Sequence, residues 1–325
     1  TRSDRDWSSD VCSSDLGGKQ MIGVIFTGGT IGSSISDGYI STDPEMRYML
    51  LKMYKESCGY DDFVTDAPCT ILSENINCSD FVIIATAVHK MMLGNVEGII
   101  LTHGSDTIQY TASFLSCIEE FTHIPVMVVC SNYVLTDNRA NGLRNFSVSV
   151  DFIRNKCGNG VFVPYTGRDG ITKIYYGNTL LRHHIYSDEI YTVNDCCYGD
   201  YAEGGFSPSG QANPCKNKLF PVPAGHGIYS DVLILYPYPG MKYPDIKEYK
   251  AVILCTYHSG TICTSSEKLK EFMQNAVRYN IPVYLVGNGD GTDYESCRLY
   301  DGLGIKILKN ITETTAYTEL ILQIN

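Results

Sequence analysis

From Met21 onward, short apolar runs alternate along the chain with amphipathic stretches. This alternation predicts helices that cover a mostly parallel β-sheet, and therefore an α/β fold. Each apolar run is nearly continuous, which indicates strands that are buried on both faces. The predicted strands are 22–26, 98–102, 125–130, 161–165, 232–236, 251–256 and 282–286, and the predicted helices are 44–54, 79–90, 108–120, 141–156 and 265–279.

The segment 201–228 departs from this rhythm. It is rich in glycine, proline, serine and asparagine, a composition that predicts a linker. We therefore predict two domains, a larger N-terminal one at 19–200 with helices on both faces of its sheet and a smaller C-terminal α/β one at 229–325. Residues 1–18 show no hydrophobic periodicity, which indicates a disordered or non-native tail.

Composition narrows the class of protein. Hydrophobic residues make up 44% and charged residues 19% of the chain, as is usual for a folded globular protein. The net charge of -11 argues against a nucleic-acid partner, which needs a basic surface. No apolar run approaches the roughly 18 residues of a membrane span, so we expect no membrane partner and a cytoplasmic location. The 13 cysteines are scattered through apolar runs and predict reduced thiols rather than disulfides or a zinc site.

Two strand ends carry candidate chemistry, and ligands of open α/β sheets bind beyond such carboxyl ends. The first strand is followed by Thr27, Gly28, Gly29 and Thr30. Paired glycines allow a sharp turn with exposed amides, which suits an oxyanion or a carboxylate and presents the Thr30 hydroxyl. An ordinary strand-to-loop turn is the alternative interpretation.

The second cluster spans His103, Gly104, Ser105, Asp106 and Thr107, just ahead of a predicted helix. Helix capping explains one of its polar side chains but does not need three of them. The hydroxyl and the carboxylate beside it are suited to hold a substrate ammonium group or to activate a nucleophile. His103 is a candidate general base, although a histidine that ends a buried strand favours a structural role.

With these motifs in view, the segments 27–32 and 101–107 resemble the two signature sequences of the L-asparaginase family, of the bacterial cytoplasmic type. Ser105 stands where the family usually has threonine, and the similarity covers nearly everything after residue 20. The resemblance implies a flavodoxin-like N-terminal sheet, a smaller C-terminal domain, and a homodimer or homotetramer. It also implies hydrolysis of L-asparagine to L-aspartate and ammonia without a metal or organic cofactor.

The resemblance further implies a role for each matching residue. Thr30 matches a nucleophile that forms a covalent acyl-enzyme, and Tyr39 matches the tyrosine on a mobile loop that activates it. Ser105 matches the second hydroxyl, and Asp106 the carboxylate that binds the α-ammonium group. The positions that match substrate contacts are Gly29, Ser73, Glu74, Ser105, Asp106 and Thr261.

Two further positions depart from the family pattern. Arg182 occupies the place of a lysine that takes part in proton relay, and a guanidinium group stays charged at any working pH. Lys173, nine residues earlier, is an alternative equivalent of that lysine. Thr261 stands where the C-terminal domain commonly supplies an asparagine across the dimer interface.

These departures leave three hypotheses about function. The first is asparagine hydrolysis. The second is the same scaffold acting on another small amide, such as glutamine or an amidated peptide. The third is a catalytically impaired protein that binds amino acids without turnover.

Overall fold

The computed structural model describes residues 20–59, 62–202, 205–225, 227–289 and 294–325. The predicted tail at 1–18 lies outside these ranges. In chain order the strands are β1 (Ile22–Phe26), β2 (Ser33–Ser36), β3 (Tyr39–Thr42), β4 (Phe63–Asp66), β5 (Ile99–Thr102), β6 (Pro125–Val129), β7 (Gly160–Thr166), β8 (Thr172–Tyr176), β9 (Gly199–Ala202), β10 (Gly205–Pro208), β11 (Val232–Leu235), β12 (Ala251–Cys255), β13 (Val283–Asn288) and β14 (Lys306–Lys309). The helices are α1 (Glu45–Cys58), α2 (Cys78–Met92), α3 (Ile108–Ser116), α4 (Gly142–Arg154), α5 (Glu267–Arg278) and α6 (Glu313–Ile324).

Eight strands form the large sheet, in the order β10-β9-β8-β7-β6-β5-β1-β4. The five strands from β4 to β7 in this order are parallel, and β8, β9 and β10 extend the sheet in antiparallel fashion. The parallel part has the flavodoxin-like order, in which the first strand lies between the second and the third. The chain therefore switches direction between β1 and β5, and the carboxyl ends of these two strands form the crevice where such sheets bind ligands.

Alternation along β1 assigns its two faces to different helices. Ile25 packs in a core with α2 and α3, whereas Val24 packs in a second core with α1 and α4. Side chains two apart share a face of a strand, so a fully apolar β1 supplies both cores. Helix α2 begins with a capping box between Asn77 and Asp80, which satisfies amide donors at its first turn.

The C-terminal sheet has four parallel strands in the order β11-β12-β13-β14. Its helix α5 covers one face, while α6 packs against α3 of the N-terminal part. The Thr315 hydroxyl on α6 lies 2.9 Å from both Ser113 Oγ on α3 and the Asn178 carbonyl oxygen. The first core cluster contains residues from both sheets, such as Phe114 and Ile253. The predicted α/β class is thus confirmed, and the division at 19–200 and 229–325 into domains remains a prediction.

Differences between the structure and the sequence prediction include two strands and the end of one helix. Strands β9 and β10 form a hairpin at the end of the large sheet, inside and just before the segment predicted as a linker at 201–228. Each strand has only four residues and no continuous buried run, so neither forms an apolar pattern in the sequence. The helix predicted at 108–120 ends at Ser116, and a separate 3-10 turn covers Glu119–Thr122.

The cysteines in the described ranges are free thiols, as their positions in apolar runs predicted. No helix among the described residues is long and apolar enough to cross a membrane.

Candidate active site

Backbone contact between two loops forms the base of the site. Gly28 and Gly29, directly after β1, adopt φ angles of 102° and 75°. A Cβ atom on Gly29 would lie 2.3 Å from the backbone nitrogen of Gly104, directly after β5. Because side chains disfavour positive φ and no space exists for one, this position requires glycine. The loops after β1 and β5 therefore pack backbone to backbone at the switch point of the sheet.

A third loop, which follows β4, closes this junction. The Gly29 amide donates to the Ile71 carbonyl at 3.0 Å, and the Ile71 amide donates to the Thr27 carbonyl at 2.9 Å. A Cβ atom on Gly104 would lie 2.3 Å from Ser73 Oγ, so this glycine is also in contact with the third loop. The Thr107 hydroxyl donates to the Ser73 carbonyl at 2.9 Å. The loop after β4 thus joins the two signature segments, with Ile71 bonded to the first and the predicted residue Ser73 in contact with the second.

The side chains around this junction carry the predicted chemistry. Thr30 and Ser105 each open a 3-10 turn, and both are half-buried. Ser73 is 5% exposed, and its hydroxyl donates to Asp106 Oδ2 at 3.2 Å. Within the described ranges, the hydroxyls of Thr30 and Ser105 make no hydrogen bond to protein. The structure therefore gathers Gly29, Thr30, Ser73, Ser105 and Asp106 at one end of the sheet, with two hydroxyls free to meet a ligand.

His103 lies beneath this junction and is 2% exposed. Its Nδ1 atom is 2.8 Å from the Gly104 carbonyl oxygen, and its Nε2 atom is 2.7 Å from the Thr111 hydroxyl. Burial lowers the pKa of its imidazole to about 4, against the opposing effects of the Gly104 hydrogen bond and the Asp106 charge. Both ring nitrogens are engaged with protein, so the structural role outweighs that of a general base.

This lowered pKa predicts a pH-dependent stability. Since a histidine in the unfolded chain has its ordinary pKa of 6.5, the unfolded state binds the proton first as the pH falls. His103 should therefore lower the free energy of unfolding progressively between pH 6.5 and 4, by about 3 kcal/mol in total. Urea unfolding of the wild type and of His103→Asn at pH 7 and pH 4.5 checks this. Parallel pH curves for the two proteins would contradict it.

Two predicted residues lie apart from the junction. Tyr39 stands at the start of β3 in the β2–β3 hairpin, and its side chain is 78% exposed. Its hydroxyl makes no hydrogen bond within the described part of the chain. Glu74, beside Ser73, is exposed as well. The structure therefore leaves these two side chains in solvent and does not bring them into the gathered group.

Arg182 lies in a neighbouring cleft of about 510 Å³ between the two sheets. Its guanidinium carbon is 5.6 Å from the centroid of the Tyr236 ring, and its charge acts on Glu313. Burial raises the pKa of the Glu313 carboxyl, while its backbone hydrogen bond, Tyr236 and Arg182 oppose this rise. Lys173, the alternative equivalent, is exposed on β8 in register with Asp200.

Thr261 belongs to the turn that follows β12. Its carbonyl accepts from the Tyr257 amide at 2.8 Å, and its hydroxyl lies 2.9 Å from Ser259 Oγ. These contacts are those of a structural turn within one chain. The substrate contact predicted for Thr261 across a dimer interface stays a prediction.

Sequence reasoning missed His183, the neighbour of Arg182. Burial lowers the pKa of this imidazole, and the Asp106 charge acts in the opposite direction. The charge of the carboxylate predicted to bind substrate therefore reaches His183. The only available signal was its position next to Arg182, since a histidine in an irregular segment has no distinctive pattern.

Within the described ranges, no group of three or more His, Cys, Asp or Glu side chains is placed to hold a metal ion.

Comparisons with known proteins identify the family of this chain. Residues 21–196 match the family model described as "Asparaginase, N-terminal". The chain is 26% identical over 286 residues to L-asparaginase 1 of Escherichia coli K12, covering 82% of this chain and 79% of that protein. It is 27% identical over 185 residues to one component of the glutamyl-tRNA(Gln) amidotransferase of Methanosarcina barkeri, covering 51% of this chain but only 40% of that protein.

Solved structures share the fold. The thermostable L-asparaginase from Thermococcus kodakarensis superposes with a TM-score of 0.76 at 22% identity, covering 94% of this chain and 93% of the other. A probable cytoplasmic L-asparaginase from Campylobacter jejuni gives a TM-score of 0.75 at 21% identity, covering 94% and 95% of the two chains. With a family model that covers more than half of its residues, this chain belongs to the asparaginase family and is an amidohydrolase.

Proposed function

We propose that this chain hydrolyses L-asparagine to L-aspartate and ammonia, with Thr30 as the nucleophile. The observation that carries the proposal is the backbone contact of Gly29 with Gly104. It sets the next residues of the two loops, Thr30 and Ser105, at the same end of the sheet with both hydroxyls unpaired within the described ranges. A nucleophile and a second hydroxyl beside a carboxylate form a group suited to covalent catalysis.

The reaction proceeds in two stages. Thr30 Oγ forms a bond to the side-chain amide carbon and loses its proton, and the oxyanion is stabilised by backbone amides near Gly29 and Ser105. The carbon–nitrogen bond then breaks, and the nitrogen leaves as ammonia after it takes up a proton. Water attacks the resulting threonine ester, which releases aspartate and restores the Thr30 hydroxyl.

Substrate binding in this proposal rests on the acidic group at the junction. Asp106 presents a carboxylate held by the Ser73 hydroxyl at 3.2 Å, which suits the α-ammonium group of an amino acid. Glu74 and Tyr39 are exposed and would have to approach the bound substrate. Tyr39 lies on the β2–β3 hairpin, and closure of this hairpin would bring it to the site, as closure of such loops commonly completes an active site. A homodimer would add Thr261 from the second copy.

The direct test is ammonia release from L-asparagine and L-glutamine, with aspartate or glutamate measured in the same samples. We expect equal amounts of ammonia and aspartate, and a kcat/KM for glutamine lower by about 10- to 200-fold, the usual effect of one methylene group. Turnover of glutamine or of an amidated peptide alone would favour the second hypothesis. Absence of any ammonia, with a melting temperature raised by aspartate, would favour the amino-acid-binding protein.

One observation supports the third hypothesis, that of a catalytically impaired protein that binds amino acids. Arg182 contacts Tyr236 in the cleft, and its guanidinium cannot pass on a proton. If position 182 takes part in relay, Arg182→Lys should raise kcat by about tenfold with little change in KM, since lysine can give up and regain a proton.

Steady-state kinetics of the Arg182→Lys protein measures this effect. Lys173→Ala is the matched control, because Lys173 is exposed on β8 and its loss should leave kcat unchanged. An unchanged or lower kcat in Arg182→Lys would mean that this position serves the cleft and not proton relay. A large loss in Lys173→Ala would instead identify Lys173 as the relay residue.

A further inference from the structure

We propose that His103 is a positioning residue that fixes the peptide group between Gly104 and Ser105, so that the Ser105 amide is aimed at the oxyanion. This inference rests on the proposed function and adds to it a residue that touches no substrate. It concerns the backbone segment that follows Gly104 and must present a donor in a fixed direction.

The hydrogen bonds of the ring determine its tautomer. A carbonyl oxygen can only accept, so the 2.8 Å contact with the Gly104 carbonyl places a proton on Nδ1. The ring is neutral at physiological pH because burial lowers its pKa to about 4. Nε2 therefore carries the lone pair and accepts from the Thr111 hydroxyl at 2.7 Å. Thr111 lies in α3 and is fully buried, so the acceptor side of the ring is anchored to the helix.

This tautomer orients the next peptide group. The Gly104 carbonyl is drawn inward towards His103, and in a trans peptide the N–H points opposite to the carbonyl. The Ser105 amide is thus directed away from the buried ring. Ser105 opens a 3-10 turn, and the first amides of a helical turn have no partner within it. Such an amide can serve the developing oxyanion, provided that its direction is fixed before the reaction.

Glycine makes this fixing necessary. Position 104 has no room for a side chain, because a Cβ atom there would lie 2.5 Å from Ser73 Cβ. Glycine populates more backbone conformations than any other residue, so the peptide that follows it rotates easily unless a neighbour holds it. The His103 side chain supplies the bond that holds it.

Two substitutions separate this role from a general structural one. In His103→Asn the side-chain amide nitrogen takes the place of Nδ1, which retains a donor to the Gly104 carbonyl. In His103→Gln the amide takes the place of Nε2, which retains the contact with Thr111 and removes the local donor. We expect kcat for asparagine to fall about 100-fold in the Gln variant with KM little changed, and to remain within about threefold in the Asn variant.

Ser113→Ala is the control for loss of a buried polar group on α3, because Ser113 bonds to α6 and not to the junction. Its kcat should equal that of the wild type. Melting temperatures of all variants are measured in parallel, so that loss of folded protein is separated from loss of rate. Equal kcat values for the wild type and a folded Gln variant would overturn the inference while the proposed function stands.

A second readout does not depend on turnover. In ¹⁵N NMR spectra, His103 should show a protonated Nδ1, and the Ser105 amide resonance should shift in the Gln variant but hardly in the Asn variant. A protonated Nε2, or a Ser105 resonance that is the same in all three proteins, would overturn the inference. If the wild type releases no ammonia while these spectra appear as expected, the proposed function fails and the positioning of the peptide stands.

Discussion

Replacement of Thr30 by alanine is expected to abolish ammonia release from asparagine while the fold stays intact. The Thr30 hydroxyl is the atom that forms the covalent bond in the proposed reaction, and loss of a nucleophile of this kind lowers kcat by about 10⁴-fold or more. The side chain is half-buried and its hydroxyl has no hydrogen bond within the described ranges. Its removal should therefore change the free energy of unfolding by only about 0.5 kcal/mol.

Thr30→Ser is the matched control, because it keeps the hydroxyl and loses only a methyl group. We expect it to retain turnover within about tenfold, the lost methyl group having restricted the rotamer of the hydroxyl. Added hydroxylamine should intercept the acyl-enzyme of the wild type and yield aspartyl hydroxamate. If Thr30→Ala kept a tenth of the wild-type rate, Thr30 would not be the nucleophile, and Ser105 would be the next residue to replace.

Replacement of Gly29 by alanine is the second substitution with a large expected effect. The new Cβ atom would overlap the Gly104 nitrogen at 2.3 Å, and the residue would keep a φ of 75° that disfavours any side chain. Strain and overpacking of this kind cost about 2–4 kcal/mol of stability. The loops after β1 and β5 would have to separate, so kcat should fall at least about 100-fold from misplacement of Thr30 relative to Ser105.

Gly32→Ala offers a closely matched comparison in the same loop. Nothing lies within 4 Å of a Cβ atom at Gly32, so this variant should fold and turn over like the wild type. Urea unfolding and asparagine kinetics of both variants measure the difference. Near-normal kcat and stability in Gly29→Ala would mean that the contact between the two loops is not needed. The Gly29–Gly104 contact would then no longer support the proposed function.

Apolar patterning of the sequence predicted helices α1 to α5 and most of the parallel strands, but not β4 or β14. Strand β1 was predicted with its observed bounds, because a run buried on both faces leaves no polar position to obscure it. Strands β9 and β10 were hidden, since each has four residues, with two buried in β9 and none in β10, too few to form a pattern. The two signature segments were recognised by their resemblance to the asparaginase family, because residue types alone also fit ordinary turns after a strand.

The tertiary structure alone decided how these segments meet. No local pattern shows that Gly29 touches Gly104 or that Ser73 donates to Asp106, because these contacts join loops that follow three different strands. It also placed Arg182 beside Tyr236, and it placed the neighbouring His183 where the Asp106 charge acts on its pKa. The sequence by itself indicated which residues are candidates for chemistry, because residue type and spacing can be seen along the chain. Their distances and burial depend on strand order, which is fixed only when the whole sheet has formed.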